Sequence, residues 1–243
     1  MNPARGPLPA LEYPGRLIIL GTAPNGRAVI AYAITGRSPS SQARKLVLRD
    51  GGVWVQPTDE ETLKKGNVDL LVYPALLFGE RGIAVSNGKQ TGDILNGLAE
   101  GEGPVSVLAG ALARWDYEPD SPIFTSRISG CVAGGRAALS LIRRGPEGVT
   151  LRSYFEVPLR AGTGRLISTY QGPNRDPLPS FEGEPHEVIL EGMTPRGTGE
   201  SIYEALGPRT PEKDFRVSVA CVFADIAQPR ELELHIINRH ERT

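Results

Sequence analysis

The chain has 243 residues, enough for one large domain or at most two with a sizeable buried core. Hydrophobic residues make up 40% and charged residues 23%, a globular balance and not a disordered one. Twenty-seven basic against 28 acidic side chains leave a formal net charge of -1, which argues against a nucleic-acid or membrane-surface protein.

Apolar runs such as Leu17–Leu20 and Leu70–Val72 are far too short to span a bilayer. Met1-Asn2-Pro3-Ala4-Arg5 opens no apolar leader, so a cytoplasmic location is expected. Cys131 and Cys221 are far apart and flanked by apolar residues, and the histidines are His186, His235 and His240. That set lacks the spacing of a zinc site, so no metal is expected and both thiols read as small buried hydrophobes.

In chain order, Arg16–Leu20 and Ala28–Ile34 read as strands joined through Pro24-Asn25-Gly26. Lys45–Leu48 and Val53–Val55 flank Asp50-Gly51-Gly52, a second hairpin. Thr58–Lys65 has a capping residue, an acidic first turn and terminal lysines before Gly66, the marks of a helix. Strands are expected at Asp69–Tyr73 and Ile83–Ser86, then helices at Gly92–Leu98 and Val105–Trp115. Ala137–Ile142, Thr150–Glu156 and Glu187–Leu190 read as further strands, with a Pro- and Gly-rich loop over Gly172–Pro185. Thr198–Leu206 reads as a helix closed by Gly207; Phe215–Phe223, with period two, and Glu231–Ile237 read as strands. Many antiparallel strands with sparse helices predict an α+β fold of two packed sheets with helices outside.

Four segments carry a family resemblance. They are Tyr13-Pro14-Gly15-Arg16 with Thr35-Gly36-Arg37-Ser38; Val85-Ser86-Asn87-Gly88-Lys89-Gln90-Thr91; Tyr117-Glu118-Pro119-Asp120-Ser121-Pro122 through Thr125-Ser126-Arg127-Ile128-Ser129-Gly130; and Tyr154-Phe155-Glu156 with Gly162–Gly172. In this order and spacing the chain resembles the archaeal-type IMP cyclohydrolases, most closely over Tyr13–Gly183. The resemblance implies a four-layer αββα sandwich of two mainly antiparallel sheets, N-terminal-nucleophile-hydrolase-like, as a single domain over 1–243 with 1–12 as an extension. It also implies the conversion of 5-formamidoimidazole-4-carboxamide ribonucleotide (FAICAR) to IMP and water, without metal or cofactor. Met1-Asn2 offers no Ser, Thr or Cys nucleophile, which fits direct intramolecular ring closure.

Such a closure needs the formyl group positioned, the developing oxyanion stabilised and a proton moved. Arg127 is expected at the oxyanion, Tyr73 at the reacting amide as the family's substrate-facing tyrosine, and Glu118 in proton transfer or holding Arg127. Arg37 and Ser38 at a strand end suit a phosphate or carboxamide, although a solvated loop arginine is the plainer alternative. Asn87, Gly88 and Thr91 are expected at the substrate, Thr91 mainly as a helix cap; a bare type I′ turn is the alternative at Asn87-Gly88. Gly164 is expected to approach the nucleotide, with Thr169 and Tyr170 adding hydroxyls. Gly162-Thr163-Gly164 lacks the Gly-Lys-Ser/Thr ending of an ATP loop. Two other readings stay open: a related enzyme acting on another formamide or amide, and a purine-nucleotide-binding protein without catalysis. Sheet edges and interface-forming hydrophobics suggest a homo-oligomer.

Overall fold

The computed structural model describes residues 8–59, 72–208, 214–225 and 231–242. Two antiparallel sheets stack face to face. The first contains β1 (Arg16–Thr22), β2 (Ala28–Thr35), β10 (Thr163–Ser168), β11 (His186–Ile189), β12 (Arg216–Ala224) and β13 (Leu232–Asn238), in the order β11-β10-β1-β2-β12-β13. The second runs in sequence order from β3 (Arg44–Arg49) through β4 (Gly52–Pro57), β5 (Tyr73–Phe78), β6 (Gly82–Ser86), β7 (Arg127–Ala133) and β8 (Arg136–Arg144) to β9 (Thr150–Val157). Helix α1 is the single turn Pro39–Gln42. The longer helices are α2 (Thr91–Ala99), α3 (Pro104–Ala111) and α4 (Pro195–Ala205). None of the described helices is long and apolar enough to cross a membrane.

The hydrophobic pattern explains the layering. Ile18, Leu20, Ile30, Tyr32 and Ile34 of the first sheet meet Val53, Val85, Ile128 and Leu139 of the second in a continuous inner core. The opposite faces are apolar too. Leu17, Ile19 and Val219 pack beneath Ile202 of α4, and Cys131, Ala138 and Ile142 pack beneath Ile94, Leu98 and Leu108 of α2 and α3. Each residue of β2 is therefore buried, as expected for a strand covered on both faces.

The predicted hairpins form, with Asp50 and Gly51 both at positive φ between β3 and β4. Thr194 caps α4 through Gly197 N and Pro195 occupies its first turn, so the helix starts before the predicted Thr198. Helix α3 stops at Ala111, short of Trp115. Of the predicted helix at Thr58–Lys65 only Thr58 and Asp59, both in a bend, are described; its remainder and the first part of the predicted strand at Asp69–Tyr73 lie outside the described residues. Strand β5 begins at Tyr73 and carries Pro74 at a register shift against β4, a place where a missing N–H costs no ladder bond.

Asn238 joins the two sheets at one flank. Its Oδ1 accepts from Leu46 N at 2.9 Å and its Nδ2 donates to Leu46 O at 2.9 Å, so one side chain satisfies a residue of edge strand β3 as a neighbouring strand would. Ser218 Oγ adds a 2.8 Å bond to Asn238 Oδ1.

Candidate active site

One end of the sandwich gathers the polar residues. There β1, β3, β5 and β7 begin, while β2, β4, β6 and β10 end, as the pairings Arg16 with Ile34, Leu17 with Ser168, Tyr73 with Val55 and Ser86 with Ser129 require. Glu118 lies in the loop before β7, 4% exposed, its N–H bonded to Thr125 O at 2.8 Å. Its Oε1 is 3.0 Å from Arg16 Nη2 and 3.9 Å from Arg127 Nη1. Two guanidiniums therefore converge on one carboxylate oxygen. Burial pushes the Glu118 carboxyl above its ordinary range, and the attraction of Arg16 and Arg127 offsets only part of that. Burial opposes the charge on Arg16 most strongly, but Glu118 together with Tyr73, Tyr170 and Tyr32 outweighs it and keeps the guanidinium more firmly protonated.

Beside this trio, Tyr32 and Tyr73 face each other across the sheets with hydroxyls 2.9 Å apart, both buried. Burial drives the Tyr32 hydroxyl well above its usual pKa. The Tyr170 hydroxyl donates to Thr125 Oγ1 at 2.6 Å, because the Thr125 proton is committed to Asp120 Oδ2 at 2.5 Å. Arg16 Nε and Ser126 Oγ are buried without a partner among the described residues, leaving hydrogen-bonding capacity unused inside the cluster.

The scaffold beneath is specific. Gly15, at φ +70°, lets Thr169 and the Tyr170 ring approach so closely that a Cβ there would collide with both. Thr169 Oγ1 donates to Pro14 O at 3.0 Å and accepts from Arg16 N at 3.2 Å, fixing the point where Arg16 enters β1. Asn87 Oδ1 accepts from Ile128 N at 2.9 Å and from Gln90 Nε2 at 3.2 Å, while its Nδ2 donates to Ser126 O at 2.9 Å. Gln90 Oε1 then accepts from Arg127 Nη1 at 3.3 Å. Arg127 Nε donates to Asp116 O at 2.7 Å, and its guanidinium lies over the Trp115 ring.

The predicted site residues divide accordingly. Tyr73, Glu118, Arg127 and Tyr170 come together in the cluster. Thr169 and Asn87 adjoin it, but their polar groups bond to the chain itself, so both position neighbours instead of presenting free groups to a substrate. Neither Asn87 nor Gly88 has positive φ, which excludes a type I′ turn there. The Gly88 carbonyl accepts from Ser86 Oγ at 2.9 Å, beside Arg127. Gln90, and not Thr91, stands at the N-cap of α2; Thr91 Oγ1 donates to Pro74 O at 2.6 Å and ties the helix to β5. Arg37 is held by Asp176 at 2.6 Å and Asn174 at 3.4 Å over the Tyr13 ring, and Ser38 caps α1 through Ser41 N. Gly164 lies at the other end: it pairs with Gly21, the opposite end of β1 from Arg16, and a Cβ there would press on Leu20 O. It serves strand packing there, a correction to its expected place at the nucleotide.

Fold and site together define an α+β sandwich with an interior arginine–carboxylate–phenol centre, the equipment for proton transfer and oxyanion binding. Residues 13–228 match the model of the family described as IMP cyclohydrolase-like protein. Among curated proteins, an IMP cyclohydrolase of Methanothrix thermoacetophila is 28% identical over 182 residues, covering 74% of this chain and 85% of its own length. Those of Methanopyrus kandleri and Methanocaldococcus jannaschii are 29% and 27% identical, covering 70% and 74% of this chain and 89% and 84% of their own lengths. The chain belongs to the IMP cyclohydrolase-like family.

Proposed function

We propose that this protein is an IMP cyclohydrolase of purine biosynthesis, closing the pyrimidine ring of FAICAR to give IMP and water. The observation that carries the reading is the Glu118 carboxylate, buried between Arg16 and Arg127 beside the Tyr32–Tyr73 pair. The carboxamide nitrogen bonds to the formyl carbon and gives up one proton, and the formyl oxygen takes one up. That hydroxyl then leaves as water while the formamide nitrogen releases its proton. Both reacting groups sit on one molecule, so proximity is supplied by the substrate.

In this reading the ionised Glu118 accepts the proton of the attacking nitrogen and returns it to the departing oxygen. Arg127 stabilises the oxyanion, held in place by Gln90 and the Asp116 carbonyl. Tyr73, backed by Tyr32, donates to the formyl oxygen, and Arg16 holds Glu118. The stacked sheets with helices on their outer faces support an N-terminal-nucleophile-hydrolase-like sandwich, read as a single domain.

Incubation of the purified protein with FAICAR, followed by the ultraviolet change of ring closure, tests the proposal. Conversion to IMP that falls at least about 100-fold in Arg127→Ala is expected. Absence of conversion by the wild-type protein would overturn it.

A further inference from the structure

Arg44 opens β3 at the same end of the sandwich and is 5% exposed. Its Nε donates to Ser41 O at 2.8 Å and its Nη2 to Thr35 O at 3.3 Å. Those are neutral carbonyls, and they use two of the five N–H donors of a guanidinium. No carboxylate among the described residues lies within ion-pair distance of it. Its neighbours in the site differ: Arg16 and Arg127 share Glu118, and Arg37 is paired with Asp176. A buried cation without a counter-charge is costly unless something negative joins it. Arg44 also reaches the centre electrostatically. Burial and Tyr73 raise the pKa of the Tyr32 hydroxyl, while Arg16 and Arg44 pull it down.

We propose that Arg44 is the anion-holding residue of this site and takes the phosphate monoester of the ribonucleotide on its free N–H edge. The assignment rests on the reading of the site as a purine-ribonucleotide site. It transfers to Arg44 the role that the sequence suggested for Arg37, whose charge Asp176 already balances. A phosphate brings the negative charge that no carboxylate among the described residues gives Arg44, and it offers acceptor geometry suited to a guanidinium fork.

The test compares IMP with inosine, which differs by the phosphate alone, in calorimetric binding to the wild type and Arg44→Gln. Wild type is expected to prefer IMP by about 100-fold or more. In Arg44→Gln that preference should fall to within about threefold, with inosine affinity unchanged. Inorganic phosphate should raise the Tm of the wild type and leave that of the variant unmoved. An undiminished preference for IMP in Arg44→Gln overturns the proposal. So does a variant that fails to fold, since an uncompensated cation is dispensable to the unliganded fold only if its role lies with the ligand. If wild type binds neither IMP nor inosine, the functional reading fails; phosphate stabilisation that depends on Arg44 would then still uphold the anion site, and its absence would remove it.

Discussion

Glu118 shows how burial can prepare a carboxyl group for chemistry. Without its neighbours it would hold its proton strongly; with two guanidiniums it releases it at a pH still above the ordinary range. As the ionised form is the base, kcat/KM should rise with pH across a window lying above the ordinary carboxylate range, as the proton leaves. Replacement by Gln removes the titrating group. Glu118→Gln should lose that acid limb and about 100- to 10,000-fold in turnover, measured in a pH–rate profile. The same limb persisting in the variant would assign it to another group. Tyr73→Phe breaks the 2.9 Å hydroxyl pair while keeping the ring, so turnover should fall about tenfold or more, and the Tm by about 2–12 °C because the buried Tyr32 hydroxyl loses its partner. Equal turnover would place the Tyr32–Tyr73 pair outside the reaction. At this scale the sequence pointed to Tyr73 through the family resemblance and to Glu118 and Arg127 through their charge and place, while Arg16 and Gln90 stood inside the motifs without a role and Tyr32 was not singled out. Arg16 looks like the ordinary first residue of a strand, and its partner Glu118 is 102 residues away. Tyr32 sits in a run of apolar residues where a phenol reads as packing. Gln90 looks like a surface residue in a turn until Asn87 and Arg127 are placed on either side of it.

Among the elements, strands with a strong apolar run were legible, while two with a glycine inside the run were not. β7, with Ser129 and Gly130, and β10, which begins Thr163-Gly164, are not among the expected strands, yet each is a paired interior strand. The reason is steric. Gly130 faces Leu20 across the sandwich and Gly164 lies against the backbone of β1, so close packing selected the small residue that local propensity counts as a breaker. The entrance to β1 shows the same constraint in the site itself. Gly15→Ala would force an L residue to φ +70° at about 1–2 kcal/mol and collide with Thr169 as well. Since Tm moves about 2–4 °C per kcal/mol in a chain of this size, a fall of at least about 4 °C is expected by calorimetry. An unchanged Tm would mean that Thr169 and Tyr170 can withdraw without loss.

For the whole molecule, two stacked sheets were predictable because strands apolar on both faces need cover on both sides. The flank joined by Asn238 was not, since nothing near Asn238 in sequence marks the strand it reaches. Asn238→Ala strands the Leu46 N–H and C=O, at about 1–3 kcal/mol for each group left without a partner. Its Tm should drop by at least about 4 °C, and the Leu46 amide should exchange with solvent deuterium faster than in the wild type. Unaltered exchange at Leu46 would show that another group covers it.

That link spans 192 positions, from β3 near the start of the chain to the last residue of β13. During synthesis the rim of the second sheet is therefore complete long before its guard leaves the ribosome. Until then the β3 edge stays open to pairing with a stranger's strand, and the vulnerability ends only when Asn238 is in place. A chain lacking Asn238 would carry that temporary hazard permanently.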